Sequence, residues 1–150
     1  MALKRLQKEL TDINANPSDH FSAGPADGKN LYKWKATIIG PKDTPYEGGI
    51  FNIDVDLPTD YPFKAPKMVL TTKMYHPNVH SDGKFACHFP LICDSWSPAI
   101  TIQRCLLTFV SMLFDPDIEN PAEQSVANVF KSDHIKFEKT AREWTSKYAM

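Results

Sequence analysis

The sequence predicts an α+β fold, in which an antiparallel sheet follows one helix and precedes several more. Three observations predict it. Apolar residues recur at helical spacing near the start and over the last third of the chain. Over residues 32–38 and 51–57 they alternate strictly with polar ones, and a proline-punctuated stretch without a period separates these runs from the later helices. The 150 residues, 42% of them hydrophobic, suffice for one self-supporting core, so a single domain without extensions is expected.

Leu3, Leu6, Leu10 and Ile13 recur every three or four positions among Lys4, Arg5, Lys8 and Glu9. An amphipathic helix with a basic outer face is expected there, ending before Asn16-Pro17. Phe21-Ser22-Ala23-Gly24 is a candidate first strand. Tyr32, Trp34, Ala36 and Ile38 alternate with Lys33, Lys35 and Thr37, and Phe51, Ile53, Val55 and Leu57 with Asn52, Asp54 and Asp56. Both runs read as half-buried strands, joined antiparallel through the turns at Gly40-Pro41, Thr44-Pro45 and Gly48-Gly49. Lys67 to Leu70 completes four strands. Ile102, Cys105, Leu106, Phe109, Val110 and Leu113 mark a strongly apolar, buried helix that stops before Asp115-Pro116. In Asn120-Pro121-Ala122-Glu123 the asparagine is the expected cap of a short helix through Phe130, and Ser132 that of a last helix bearing the stripe Phe137, Ala141, Trp144 and Tyr148.

Composition narrows the function. Seventeen Lys and Arg against eighteen Asp and Glu leave a net charge of −1, so no global field favours nucleic acid or an anionic membrane, and neither is an expected partner. The N-terminal stretch is charged from Lys4 on and offers no apolar run for a signal peptide or membrane span. Three cysteines, Cys87, Cys93 and Cys105, form no secreted disulfide framework, and a cytoplasmic or nuclear location is expected.

The stretch from Thr71 to Pro98 is long for a structureless connection and collects the reactive side chains. His76, His80, Cys87, His88 and Cys93 are zinc donors by type, but no Cys-x-x-Cys pair occurs and the turns around His76 and His80 break any helix that would align them. No metal or other cofactor is expected. Serine-triad and phosphate-loop signatures are absent. A cysteine beside an amide is the better constellation. A thiol attacking an acyl carbon passes through a tetrahedral oxyanion, and a neutral side-chain N–H such as that of Asn78 stabilises it without proton transfer. Cys105 falls on a core stripe, whereas Cys87 and Cys93 remain candidates.

Tyr75-His76-Pro77-Asn78, Gly83, the cysteine after it and Trp96-Ser97-Pro98-Ala99 resemble the active-site signature of ubiquitin-conjugating enzymes. The likeness runs end to end, through Ser22-Ala23-Gly24-Pro25, Pro45-Tyr46-Glu47-Gly48-Gly49, Pro58-Thr59-Asp60-Tyr61-Pro62-Phe63-Lys64 and Ala141-Arg142-Glu143-Trp144. It is similar to the small, extension-free subgroup that works with RING and HECT ligases. The resemblance implies an N-terminal helix, a four-stranded antiparallel meander, an active-site loop, a buried helix and two C-terminal helices. It also implies a monomer whose partners are ubiquitin, the activating enzyme and those ligases.

Carried over by position, Cys87 is the thioester-forming nucleophile, Asn78 the oxyanion donor and His76 a residue that organises the loop. Lys4, Arg5, Phe63, Ser97, Pro98 and Ala99 match positions facing activating enzyme and ligase. Ser22 matches a noncovalent ubiquitin site, and Leu107 and Ser111 match the face toward donor ubiquitin, with core burial the alternative for Leu107. The pattern departs at the chemistry. Cys87 stands one position further from His76 than in the family, which turns a side chain in an extended segment unless a bulge absorbs the insertion. Asn120 replaces an acidic residue near the incoming amine, where an amide orients but accepts no proton, and His88 next to the thiol is a candidate substitute base. An adaptor that keeps the ligase and ubiquitin surfaces but transfers poorly is therefore the alternative reading.

Overall fold

The computed structural model describes residues 2–84 and 96–150. Helix α1 spans Ala2–Ala15, strands β1 to β4 span Phe21–Pro25, Lys33–Ile39, Ile50–Asp56 and Lys67–Leu70, and helices α2 to α4 span Ile102–Phe114, Gln124–Ser132 and His134–Tyr148. The four strands pair in chain order, each antiparallel to the next, as the α+β meander predicts.

Period-two alternation sorts the sheet into two faces. Trp34, Ala36 and Ile38 of β2 lie beside Val55, Ile53 and Phe51 of β3 and point into the core. The same register sets Lys33 opposite Asp56 and Lys35 opposite Asp54 on the solvent face, where opposite charges support the pairing. Against the inner face lie Cys105, Leu106, Phe109, Val110 and Leu113 of α2, with Leu6 and Ile13 of α1 in the same apolar cluster. Burying one such side chain contributes about 1.5–3 kcal/mol, so α2 is held by packing more than by propensity. Cys105 is a core residue, its thiol pushed up to about 12 by burial.

Three expectations need correction. Leu3 is exposed, and Glu9 occupies the buried stripe of α1 with Ala2, Leu6 and Ile13. Asn120 does not cap α3, which begins at Gln124 with Glu123 in the cap position. The carbonyl of Pro77 takes the N–H groups of Ala122 (2.7 Å) and Glu123 (3.1 Å), so these amides close a tertiary contact instead of opening a helix. Ser132 does not cap α4 either. Its hydroxyl bonds back to Asn128 O at 2.8 Å inside α3, and the Asp133 carboxylate accepts from Lys136 N instead.

Among the described residues no helix is long and apolar enough to cross a membrane.

Candidate functional site

The segment following β4 is extended but anchored at several points. Gly83, with φ +89°, brings its backbone against β4, where Leu70 N donates to Gly83 O at 2.9 Å. A Cβ at Gly83 would stand 2.0 Å from Leu70 O, so the glycine between Asn78 and the cysteine serves both the turn and the close approach. Upstream, the buried Tyr46 hydroxyl donates to Tyr75 O at 2.8 Å, and burial raises its pKa.

His76 is buried and uses both ring nitrogens. Asn78 N–H donates to Nδ1 at 3.0 Å, which assigns the proton to Nε2, and Nε2 donates to Met112 O at 2.8 Å near the end of α2. Burial holds the imidazole pKa down at about 4, against the opposing pull of the Met112 carbonyl. The ring is neutral at physiological pH and orients the loop. With both nitrogens engaged, it is also unavailable as a zinc donor, and no cluster of three metal-ligating side chains occurs among the described residues.

Asn78 is 0% exposed. Its Nδ2 donates to Asp117 O at 2.8 Å and to Asn120 O at 3.3 Å, and its Oδ1 accepts from Asp117 N at 2.9 Å. With the two bonds to Pro77 O, these contacts fasten residues 117–123 to the 76–78 turn. The side chain of Asn120 is exposed and donates to the Asp117 carboxylate at 3.2 Å. The Glu123 carboxylate accepts from Ser81 N at 2.9 Å and thereby joins the far side of the loop to the start of α3. Cys87, His88 and Cys93 lie outside the described residues.

A second group of predicted residues assembles around the first turn of α1. Phe63 is 63% exposed, and Ser97, Pro98 and Ala99 are exposed beside it. The two segments touch through Trp96, whose indole donates to Pro62 O at 3.0 Å and whose ring lies 5.9 Å from that of Tyr61. Lys4 is exposed. Arg5 is only partly so, because its guanidinium reaches Pro98 O and Ile100 O, each at 2.8 Å.

Ser22 is exposed on β1 opposite Thr37 of β2. On α2, Leu107 is 46% exposed and Ser111 is open, which decides between surface and core for Leu107. Arg104 and Phe114 extend that exposed stripe by a turn in each direction. Sequence reasoning missed them, although their spacing from Leu107 and Ser111 was the available signal. It also missed Asp117 and Glu123, whose loop contacts have no local signature.

A family model described as ubiquitin-conjugating enzyme matches residues 5–145. The chain belongs to the ubiquitin-conjugating enzyme family. Solved structures agree. A Toxoplasma gondii ubiquitin conjugating enzyme E2 domain is 38% identical with TM-score 0.89, all of both chains being covered. A crystal structure of a Plasmodium yoelii protein named as a ubiquitin conjugating enzyme is 40% identical with TM-score 0.90, over 99% of this chain and 96% of that one. As a class, ubiquitin-conjugating enzymes are transferases that work with ubiquitin, an activating enzyme and ligases.

Proposed function

We propose that this ubiquitin-conjugating enzyme carries ubiquitin as a thioester on Cys87 and, with a RING or HECT ligase, passes it to a substrate lysine or a ligase cysteine. The Cys87 thiolate attacks the carbonyl carbon of the thioester on the activating enzyme; a carbon–sulfur bond forms to Cys87 and the activating enzyme's thiolate leaves. An amine then attacks the same carbon, the Cys87 sulfur departs as thiolate, and the proton lost by the amine passes through solvent to that thiolate as the amide forms. Both steps develop an oxyanion, assigned here to the Asn78 amide. Of its two hydrogens the one toward Asn120 O, at 3.3 Å, is the less tightly held and the one to redirect.

The observation that carries this reading is the clamp of the 76–78 turn to residues 117–123 by Pro77 and Asn78, which sets a side-chain amide beside the segment that precedes α3. The exposed Phe63 and Ser97-Pro98-Ala99 are assigned to ligase and activating enzyme, Lys4 to the basic part of that surface, Ser22 to a second, noncovalent ubiquitin, and Leu107 and Ser111 to the donor ubiquitin. A reducing compartment, cytoplasm or nucleus, suits a thiol carrier.

Incubation with activating enzyme, ATP and ubiquitin is expected to give an adduct on a nonreducing gel that thiol reagents remove. Absence of the adduct, or its survival in Cys87→Ala, rejects the reading. One observation favours the adaptor alternative: Asn120 presents an amide tied to Asp117 where the family has a carboxylate. Discharge of the thioester to free lysine at rates like those of a relative with the acid in place would reject the adaptor.

A further inference from the structure

Glu9 is a carboxylate in an apolar stripe, 4% exposed, and the transfer chemistry makes no use of it. Its Oε1 accepts from Ile102 N at 2.7 Å, the first amide of α2, where an anion also meets the positive end of the helix dipole. Its Oε2 accepts from Arg5 Nε at 2.9 Å and from the Tyr61 hydroxyl. Burial, followed by that bond to Glu9, keeps the Tyr61 phenol strongly protonated. Arg5 lies 5.5 Å from the centre of the Tyr61 ring and sends its two remaining nitrogens to Pro98 O and Ile100 O.

One carboxylate therefore joins four segments: α1, the turn carrying Phe63, the turn carrying Ser97-Pro98-Ala99, and the start of α2. Apolar side chains in place of the whole Glu9–Arg5 pair would continue the stripe of Leu6 and Ile13, and such replacements of complete buried ion pairs are often neutral or stabilising. What an apolar side chain lacks is direction. It fixes neither the guanidinium plane nor the Tyr61 hydroxyl, and through them the spacing of the two exposed turns. The Trp96 indole bond to Pro62 O depends on the same spacing.

We propose that Glu9, acting through Arg5 and Tyr61, is the positioning residue that sets Phe63 and Ser97-Pro98-Ala99 in one geometry for protein partners. This rests on the assignment of those residues as the docking surface. Glu9 touches no partner itself. It determines how well the surface is preorganised, so its loss weakens docking and leaves the chemical step alone.

The test is Glu9→Gln, which keeps the side-chain size and an acceptor for Ile102 N but removes the charge from Arg5 and Tyr61. The probe is the activating enzyme, with the full chain as varied substrate at saturating ATP and ubiquitin. KM for the chain is expected to rise about tenfold or more, with kcat and ligase-free discharge to free lysine within about twofold of the original. The Trp96 indole N–H resonance is expected to move and to exchange faster with water. Ile13→Ala, at the other end of α1, is the control for lost stability alone, and it should leave KM and the Trp96 signal in place. An unchanged KM and Trp96 signal in Glu9→Gln overturns the inference, as does an equal KM rise in Ile13→Ala. If the original chain forms no thioester, the reading above fails on its own. The Trp96 and Phe63 resonances then decide the positioning: moved by Glu9→Gln they support it, unmoved they overturn it.

Discussion

Two buried polar clusters tie surface turns to the helical layer at different places in the molecule, and they do so with opposite chemistry. Around α1, Glu9 and Arg5 hold the 61–63 and 96–100 segments through an ion pair and its charge-assisted bonds. Around α2, neutral His76 and Asn78 hold residues 112 and 117–120 through ordinary amide and imidazole bonds. The ion pair is costly to half-remove, because without Glu9 the partly exposed Arg5 loses its counter-charge while Ile102 N and the Tyr61 hydroxyl lose their acceptor. A neutral cluster avoids that cost, but it must keep its histidine unprotonated.

The sharpest way to break the contrast is Glu9→Ala, which strands Arg5, the Tyr61 hydroxyl and Ile102 N together. About 3–5 kcal/mol should be lost in urea unfolding, from two buried donors left without an acceptor and a partly exposed charge left without its partner. Acid probes the other cluster. The His76 pKa is about 4 in the fold against 6.5 for the free side chain, so the unfolded chain takes up a proton before the native one does. The associated stability is complete above about pH 6.5 and is lost as pH falls from there toward 4. The loss is on the order of 3 kcal/mol and should be absent from His76→Gln, so that the two chains differ in the pH dependence of thermal unfolding between about pH 6.5 and 4. Asn78→Ala leaves Asp117 N without its acceptor and should cost about 2 kcal/mol, with faster amide exchange at Asp117. Lys64→Ala, which removes only the exposed pair with Asp60 at 3.6 Å, should leave the unfolding midpoint unchanged.

Much of the fold was legible because its signals are local. Alternation over 32–38 and 51–57 fixes which residues of β2 and β3 face the core, and the stripe over 102–113 identifies the buried helix. The misplaced caps have the opposite origin. Nothing near Asn120 in sequence reveals that the carbonyl of Pro77 will claim the next free amides, and a serine followed by an aspartate leaves the capping choice to geometry. Glu9 was hidden by its type, since a charged residue is read as solvent-facing. Its position told otherwise, three residues after Leu6 and four before Ile13. In the site, His76 and Asn78 were recognised from a motif, but their bonds to Met112 and Asp117 cross more than thirty residues and carry no sequence trace. Cys87, on which the proposed chemistry turns, lies outside the described residues.

The sealing of Cys105 on the inner face of α2 makes that residue a natural reporter. Its thiol is buried and held protonated, so in the native chain a maleimide finds no nucleophile at that position. Uptake of label at Cys105, read by mass spectrometry of the peptide that contains it, would time how often α2 lifts from the sheet. The same trace, taken with and without a bound partner, would reveal whether docking at the far loops stiffens the centre of the molecule.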